Sequence, residues 1–305
     1  MDSILTQHIM NWLMLGSLYT LVALGFSLLF GVLNVIHFSH GDVAIVAPFV
    51  ALAAVQVLAT TFGPGLGALT WILALGLAIV ATGLLGILLD WLVIRRFRNS
   101  PAMMALVATV ALGAVLRELI RTLYPQGSNP KPFPTISEGN ITVAGFDVSF
   151  FSLTVLGTTI AMVTLLYFLL HHTSVGVRIR AVAEDRDIAR LMAINPNRIF
   201  AATFFIASAI GAVGGILYGS YAGVVRFDFG IQLGLIGFSA AVVGGLGSMQ
   251  GAILGSMLIA GIDVLAQAAL PDGAAYRLVF IFLLVIAVLV LKPSGMLGKP
   301  VIEKV

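Results

Sequence analysis

Polar side chains interrupt a long apolar tract near the start of the chain, and they are the first candidates for chemistry. The tract, residues 3–41, contains no Asp, Glu, Lys or Arg. The interrupting segment contains Asn34, His37, Ser39, His40, Gly41 and Asp42. Gly41 allows the chain to turn, and the side chain of Ser39 or Asp42 could cap a helix that follows. The N–H groups of that helix N-terminus would attract a carboxylate; the plainer alternative is an inter-helix loop with a cap.

A glycine-rich segment, residues 244–251, is the second interruption. Its sequence is Gly-Gly-Leu-Gly-Ser-Met-Gln-Gly. Each glycine weakens a helix by roughly 1 kcal/mol relative to alanine, so we expect a break there. Backbone groups that a break frees inside a membrane must face protein or a water-filled path. Gly244, Gly245, Gly247 and Ser248 are therefore candidates for lining a solute path, and tight helix packing through glycine is the alternative.

The third segment, residues 177–195, is highly charged. Its charged residues are Arg178, Arg180, Glu184, Asp185, Arg186, Asp187 and Arg190, too many for a membrane span. Ala181, Ile188 and Leu191 or Met192 recur at helical spacing, and Pro196 would end the helix. The pattern predicts one amphipathic helix on the cytoplasmic side, which either lies on lipid headgroups or docks another protein.

Sequence patterns typical of enzymes do not occur. The chain has no G-x-x-x-x-G-K-[ST] phosphate-binding loop, no H-E-x-x-H motif and no cysteine. We therefore expect no catalytic residue, metal or cofactor in this chain, and no ATP hydrolysis by it. The adjacent His171 and His172 at a span end are more typical of the headgroup level than of a metal site. The charges near spans, which we expect to be paired or to reach the membrane surface, are Asp90, Arg117, Glu118, Arg121 and Asp263.

The elements that position these residues must be membrane-spanning helices. The 305 residues are 60% hydrophobic and 10% charged, and the mean hydropathy is +1.09, whereas a soluble domain carries about 25% charged residues. A span needs roughly 20 apolar residues. The predicted spans are 9–31, 43–60, 70–94, 102–123, 150–171, 199–221, 232–249, 251–270 and 276–292. We expect the first span to be uncleaved, because Met1-Asp2-Ser3 lacks the basic start of a signal peptide.

Basic residues predict the orientation, since short loops rich in Lys and Arg stay in the cytoplasm. These residues are Arg95, Arg96 and Arg98, the arginines of 178–198, and Lys292, Lys299 and Lys304. Residues 125–147, rich in Pro and Gly with a single Lys, form the predicted outer loop. Nine spans would leave the N-terminus outside. If 43–60, which contains Pro48, only dips into the membrane, eight spans remain and the N-terminus is inside.

Five motifs occur in order along the chain. They are residues 31–42 (Gly-Val-Leu-Asn-Val-Ile-His-Phe-Ser-His-Gly-Asp), 180–185 (Arg-Ala-Val-Ala-Glu-Asp), 194–198 (Ile-Asn-Pro-Asn-Arg), 244–248 (Gly-Gly-Leu-Gly-Ser) and 292–298 (Lys-Pro-Ser-Gly-Met-Leu-Gly). With these motifs the chain resembles, over essentially its full length, the LivH-type permease subunits of bacterial branched-chain amino acid ABC importers. Each motif alone is weak, but their order and spacing together are specific.

The resemblance implies a heteromeric importer. This chain would pair with a second, homologous permease, two cytosolic ATP-binding subunits that bind the ATP, and a periplasmic solute-binding protein. The family's ATPase-docking loop corresponds to 183–196 here, and the residues expected to couple are Ala183, Glu184, Asp185, Arg186, Ala189 and Arg190. Ala193 stands where Gly is expected, which should extend the helix slightly. His37 stands where Asn is more usual, which admits urea, short amides or nucleosides as alternative solutes.

The sequence thus predicts an all-α, polytopic membrane helix bundle of about eight or nine transmembrane helices. It has a discontinuous or re-entrant helix near 34–60 and a single permease domain over residues 1–305. We expect alternating access in a bacterial inner membrane, among lipids, with Leu, Ile or Val as solute. Nucleic acid is excluded as a partner because the 16 basic residues are scattered. An ATP-independent channel, an ion-coupled carrier or a membrane enzyme are the alternatives of a different class.

Overall fold

The chain folds into an all-α polytopic bundle. The structure, a computed structural model, describes residues 2–62, 67–98, 100–137, 139–143 and 146–298. Within these ranges eight helical runs are long and apolar enough to cross a membrane. They are α1 (Asp2–Leu33), α2 (His40–Phe62), α3 (Ala68–Leu89) with a π-helical turn (Asp90–Ile94) and α4 (Arg95–Phe97), α5 (Ala102–Leu123), α6 (Phe150–His172), α9 (Pro196–Ala222), α11 (Met249–Ala269) and α12 (Gly273–Leu291).

The remaining elements are short. The helices are α7 (Ser174–Glu184), α8 (Arg186–Leu191) and α10 (Phe229–Gly244), and the strands are β1 (Lys131–Pro132), β2 (Asn140–Val143), β3 (Phe146–Ser149) and β4 (Val224–Val225). β2 and β3 pair antiparallel as a hairpin, while β1 pairs antiparallel with β4. The β1–β4 pair therefore fastens the predicted outer loop to the connection after α9. Residues 138, 144 and 145 of that loop lie outside the described residues.

Helix α1 forms the centre of the bundle. It packs against α6, α9, α10 and α11, and Leu18, Tyr19 and Leu21 are fully buried. The outer helices differ sharply, because few side chains of α5, α6 and α12 are buried on the isolated chain. An apolar helix that the protein leaves uncovered needs lipid or another apolar partner around it.

The chain reverses direction at the end of α1 and enters α2 inside the bundle. Asn34 adopts φ 55° and ends α1. His40, the first residue of α2, then packs against Gly25, where a Cβ would overlap its ring. Gly25 lies about 12 Å before the end of α1, at 1.5 Å per residue. The predicted discontinuity near residue 34 is confirmed. The first residue of α2 contacts α1 about two helical turns before the last residue of α1.

Helix α2 is not short. It runs through Pro48 for 23 residues, although proline removes a helix hydrogen bond and its ring crowds the preceding turn. The carbonyl that loses its partner, that of Ala44, lies against the backbone of Gly215, where a Cβ would overlap the oxygen. The short apolar helix is instead α10, whose 16 residues extend about 24 Å.

The ends of the helices identify the side on which the chain starts. Ser152, just after the outer loop, contacts Met14 of α1 at 3.5 Å between Oγ and Sδ. The other end of α1, at Leu33, contacts Arg186 of the cationic segment. The N-terminus of α1 therefore lies on the outer-loop side. This arrangement corresponds to the prediction of nine spans, which are the eight long helical runs and the shorter α10.

The prediction of a single amphipathic helix over 177–195 is wrong, because the segment forms two helices, α7 and α8. Asp185 is extended (φ −155°), and its carboxylate accepts the N–H groups of Asp187 and Ile188, so it ends α7 and caps α8. Pro196 does not end this helix but is the first residue of α9, which the side chain of Asn195 caps. The expected extension at Ala193 is also wrong, because Ala193 adopts φ 59° after α8 has ended at Leu191.

The two cationic segments meet on one side of the bundle. Arg98 Nη1 donates to Asn197 Oδ1 at 2.8 Å, which joins the end of α4 to the start of α9. Lys299 and Lys304, also predicted to be cytoplasmic, lie outside the described residues. By the positive-inside rule this side faces the cytoplasm, and the strands face outward.

The orientation is testable by labelling introduced cysteines, since the chain has none of its own. We expect Ser137→Cys in the outer loop to react with an impermeant maleimide only from the outer side. The matched variant Val177→Cys, at an exposed position of α7, should react only from the cytoplasmic side. Labelling of Ser137→Cys exclusively from the cytoplasm would invert the topology.

Candidate functional site

The start of α2 concentrates the polar residues that the sequence singled out. His37, Ser39, His40 and Asp42 are all buried. Ser39 Oγ and His37 Nε2 lie 3.1 Å apart, and the N–H of Phe38 donates to Thr109 Oγ1 of α5 at 3.2 Å. The side chains expected to cap α2 thus have other partners: Ser39 contacts His37, and Asp42 contacts α5. Asn34, at the end of α1, is exposed and not buried like this group.

Several buried polar atoms in this group have no hydrogen-bond partner among the described residues. They are His37 Nδ1, both ring nitrogens of His40, and Asp42 Oδ1. Aromatic rings surround the two imidazoles edge to face, Phe204 at 5.2 Å from His37 and Phe26 at 4.9 Å from His40 between centroids. A buried polar group without a partner costs about 1–3 kcal/mol. The start of α2 therefore has hydrogen-bonding capacity that the described protein groups do not use.

Asp42 forms an ion pair across two helices. Its Oδ2 accepts from Arg117 Nη1 of α5 at 2.6 Å, with 5% and 22% of the two side chains exposed. Gly113 of α5 and Gly230 of α10 contact the carboxylate where a Cβ would overlap it. The predicted structural pairing of Arg117 is confirmed, but sequence reasoning missed its partner and these two glycines. Only their proximity in the folded chain reveals the arrangement.

Close packing covers the N-terminus of α2. A Cβ on Gly41 would overlap the carbonyl oxygen of Gly230 and the backbone of Gly234, so α10 lies directly on this helix end. The predicted contact between the N–H groups of α2 and a solute carboxylate therefore needs α10 to move. It stays a prediction.

The glycine-rich segment does break the helix, at the opposite end of α10. Gly245 and Gly247 adopt φ 106° and 84°, and Ser248 Oγ caps α11 by accepting the N–H of Gly251 at 3.0 Å. Gly247 packs against Gly31 near the end of α1. The carbonyls of Val243 and Gly244 accept the N–H groups of Met296 and Leu297 at 2.9 and 2.8 Å. These freed carbonyls face protein, and lining of a solute path by Gly244, Gly245, Gly247 and Ser248 stays a prediction.

The cytoplasmic segment presents an apolar face that this chain does not cover. The exposed fractions of Ile188, Met192 and Leu191 are 60%, 72% and 86%. Among the predicted coupling residues, Ala183, Glu184 and Arg190 are exposed, Asp185 is half-buried, and Ala189 is buried against the bundle. Arg190 pairs with Asp187 at 3.1 Å on the surface. An exposed apolar cluster rimmed by charges is typical of a protein interaction site.

Arg186 differs from its neighbours because it points inward. Its Nη2 donates to the carbonyl oxygen of Leu33 at 2.5 Å, and its guanidinium lies 5.2 Å from the ring centroid of Phe200. Arg98 lies over the same ring at 4.2 Å and forms an ion pair with Asp90 of the π-helical turn. Burial, with the charges of Arg98 and Arg190, lowers the pKa of the Arg186 guanidinium from its ordinary value.

A second buried charge cluster joins α1, α11 and α12. Asp263 accepts from Tyr19 Oη at 2.5 Å, from Arg277 Nη2 at 2.9 Å and from Gln267 Nε2 at 2.8 Å. The sequence indicated Asp263 as a paired charge but missed its three partners.

His171 and His172 stack on Tyr167 and Phe168. The described residues contain no group of three His, Cys, Asp or Glu able to hold a metal.

Comparison with known proteins adds the family context for this geometry. The model of the family described as branched-chain amino acid transport system / permease component matches residues 8–289. The high-affinity branched-chain amino acid transport system permease protein BraD of Pseudomonas aeruginosa is 31% identical over 98% of this chain and 97% of its own length. The protein of the same description named LivH in Escherichia coli is 32% identical over the same shares. The probable branched-chain amino acid transport permease protein LivH of Methanocaldococcus jannaschii is 27% identical over 93% and 89%.

The Asp42–Arg117 pair predicts a large loss of stability when one partner is removed. In Arg117→Met the buried carboxylate loses its partner and must either stay charged without compensation or take up a proton, which we expect to cost roughly 3 kcal/mol. The matched control is Arg121→Met on the same helix, because Arg121 pairs with Glu118 in an exposed position and should contribute much less. Thermal unfolding of the purified variants in detergent measures both. Equal melting temperatures for the two variants would contradict a structural role of the buried pair.

Proposed function

We propose a transport mechanism for this chain, which belongs to the family of branched-chain amino acid transport system permease components. The chain is a multi-pass protein of the inner membrane and has the role of the permease in such a system. We propose that it carries Leu, Ile and Val inward by alternating access, as one transmembrane domain. The observation that carries this proposal is the likeness, over 98% of the chain, to permeases named for high-affinity branched-chain amino acid transport.

The proposal assigns the chemistry of ATP to other subunits. This chain contains no phosphate-binding loop, so two cytosolic ATPases bind and hydrolyse the nucleotide, while the permease is not an enzyme and holds no cofactor. A second homologous permease and a periplasmic solute-binding protein complete the assembly. The exposed face of Ile188, Leu191 and Met192 supports this division, because it is an apolar surface on the cationic side that a soluble subunit would cover.

The proposed solute path runs along α10, from the start of α2, which α10 covers, to the glycine-rich segment 244–251 at the other end of α10. In the described conformation α10 covers the start of α2, and buried nitrogens of His37 and His40 lack partners. A conformation in which α10 moves away would let these atoms, Asp42 and the N–H groups of α2 meet water or the charged ends of an amino acid. The unmet hydrogen bonds favour that second conformation and offset part of the packing that is lost.

An importer of urea, short amides or nucleosides is the second candidate. The feature that favours it is His37, at a position of the polar segment where the resemblance to the family implies Asn. Ion-coupled transport has less support, because the buried carboxylates of Asp42, Asp90 and Asp263 each pair with an arginine. A proton relay needs a chain of groups that pass a proton from one to the next, whereas each of these carboxylates is bound to its own arginine.

The solute is testable by competition in proteoliposomes that contain the complete complex and its binding protein. We expect uptake of labelled leucine to be inhibited by unlabelled Ile and Val and to be unaffected by urea, because apolar residues around the polar site accept a branched side chain. Strong urea uptake without competition by leucine would exclude the amino-acid assignment and favour the second candidate.

The docking surface is testable by charge reversal. We expect Glu184→Arg to release or uncouple the ATPase while the permease still inserts, because like charges brought together at an interface repel. The matched variant Glu184→Ala, which only removes the charge, should be milder. The measurements are co-purification of the ATPase and leucine uptake. If Glu184→Arg is normal and Arg178→Glu or Arg190→Glu is defective, the segment binds anionic lipid instead.

A further inference from the structure

Arg186 occupies a position between the exposed docking face and the interior of the bundle. It is the first residue of α8, whose start is fixed by the carboxylate of Asp185. Ile188 and Leu191 of the same helix point outward, whereas the guanidinium of Arg186 reaches the carbonyl oxygen of Leu33. A displacement of α8 therefore displaces the hydrogen bond that Arg186 makes.

The receiving carbonyl belongs to the last residue of α1. The helix ends at Leu33 because Asn34 adopts a positive φ, so no later turn of α1 supplies an N–H to the carbonyl of Leu33. The last carbonyls of a helix carry partial negative charge, and a cation there satisfies both the hydrogen bond and the dipole. Arg186 is thus a C-terminal cap of α1 that is supplied by a cytoplasmic helix.

A second contact fixes the orientation of the guanidinium. Phe200 of α9 is buried, and its ring lies beside both Arg186 and Arg98. The carboxylate of Asp90 balances the charge of Arg98, whereas the ion pairs among the described residues do not include Arg186. Two arginines at one ring repel each other unless each has a compensating partner. For Arg186 that partner is the end of α1.

We propose that Arg186 is the positioning residue that transmits movement of the docking face to the junction between α1 and α2. This inference rests on the proposed function and revises one part of it, since Arg186 acts inside the permease and does not contact the ATPase. Displacement of α8 pulls on Leu33, and the short segment after Leu33 leads directly to His37, His40 and Asp42. The start of α2 then follows the nucleotide state of the ATPase.

The test measures the junction itself in the complete complex. Ile36→Cys, at a half-buried position of the junction, serves as a labelling site in the otherwise cysteine-free permease. We expect its maleimide labelling rate to differ between the nucleotide-free and ATP-bound complex, and to lose this difference in Arg186→Met. Leucine uptake should fall about tenfold, as expected for loss of one charged hydrogen bond, while the ATPase still co-purifies. Arg186→Lys, which retains a cationic donor, should restore part of both signals.

Matched variants separate this role from docking and from stability. Arg96→Met, at an exposed arginine of α4 on the same cationic side of the bundle, should leave labelling and uptake unchanged. If Arg186→Met does not fold, Phe200→Leu removes the ring that orients the guanidinium and should weaken the nucleotide dependence instead. Unchanged nucleotide dependence in both variants would overturn the inference, and so would loss of the ATPase in Arg186→Met alone. If the wild-type permease recruits no ATPase at all, the proposed function itself fails.

Discussion

A backbone polar group inside a lipid bilayer has no water to bind, and this constraint governs the whole bundle. A continuous helix meets it internally, but this chain interrupts its helices repeatedly. Each interruption is matched by a substitute partner. Arg186 donates to the carbonyl of Leu33, and the hydroxyl of Thr109 accepts the N–H of Phe38. The N–H groups of Met296 and Leu297 donate to the carbonyls that the glycine-rich segment leaves free.

Buried charges also need partners, and a buried charge without a partner costs more free energy than a neutral polar group does. The buried carboxylates Asp42, Asp90 and Asp263 each lie beside an arginine, so the described interior contains charge as neutral pairs. The attraction within such a pair offsets the free energy of desolvation only when the geometry of the pair is good. Glycines provide that geometry around Asp42, because Gly113 and Gly230 leave the space that a Cβ would take. Small residues in this bundle therefore position charge as well as allowing helices to approach one another.

Much of this architecture could be predicted from local sequence. The apolar lengths, the discontinuity at Asn34, the glycine-rich break and the sidedness of the cationic segments all follow from short windows of residues. The errors arose where one local signal was overridden by another or by a residue distant in the sequence. Pro48 suggested a short helix, but Gly215 allows the chain to continue, and the charged segment looked like one helix although Asp185 is a strong cap. The partners of Asp42, Asp263 and Arg186 could not be predicted, because they lie on helices far apart in the sequence.

The fastening of Met296 and Leu297 onto the end of α10 has a consequence for biogenesis. These residues are synthesised only after α11 and α12, yet they complete the hydrogen bonds of Val243 and Gly244. A Cβ on Gly245 would overlap the backbone of Gly298, and a Cβ on Gly298 would overlap the carbonyl oxygen of Ser294. A nascent chain that has not yet reached Met296 therefore lacks these two donors at the end of α10. A chain truncated before Met296 would leave the carbonyls of Val243 and Gly244 without these donors, at a cost of about 1–3 kcal/mol for each one that stays buried.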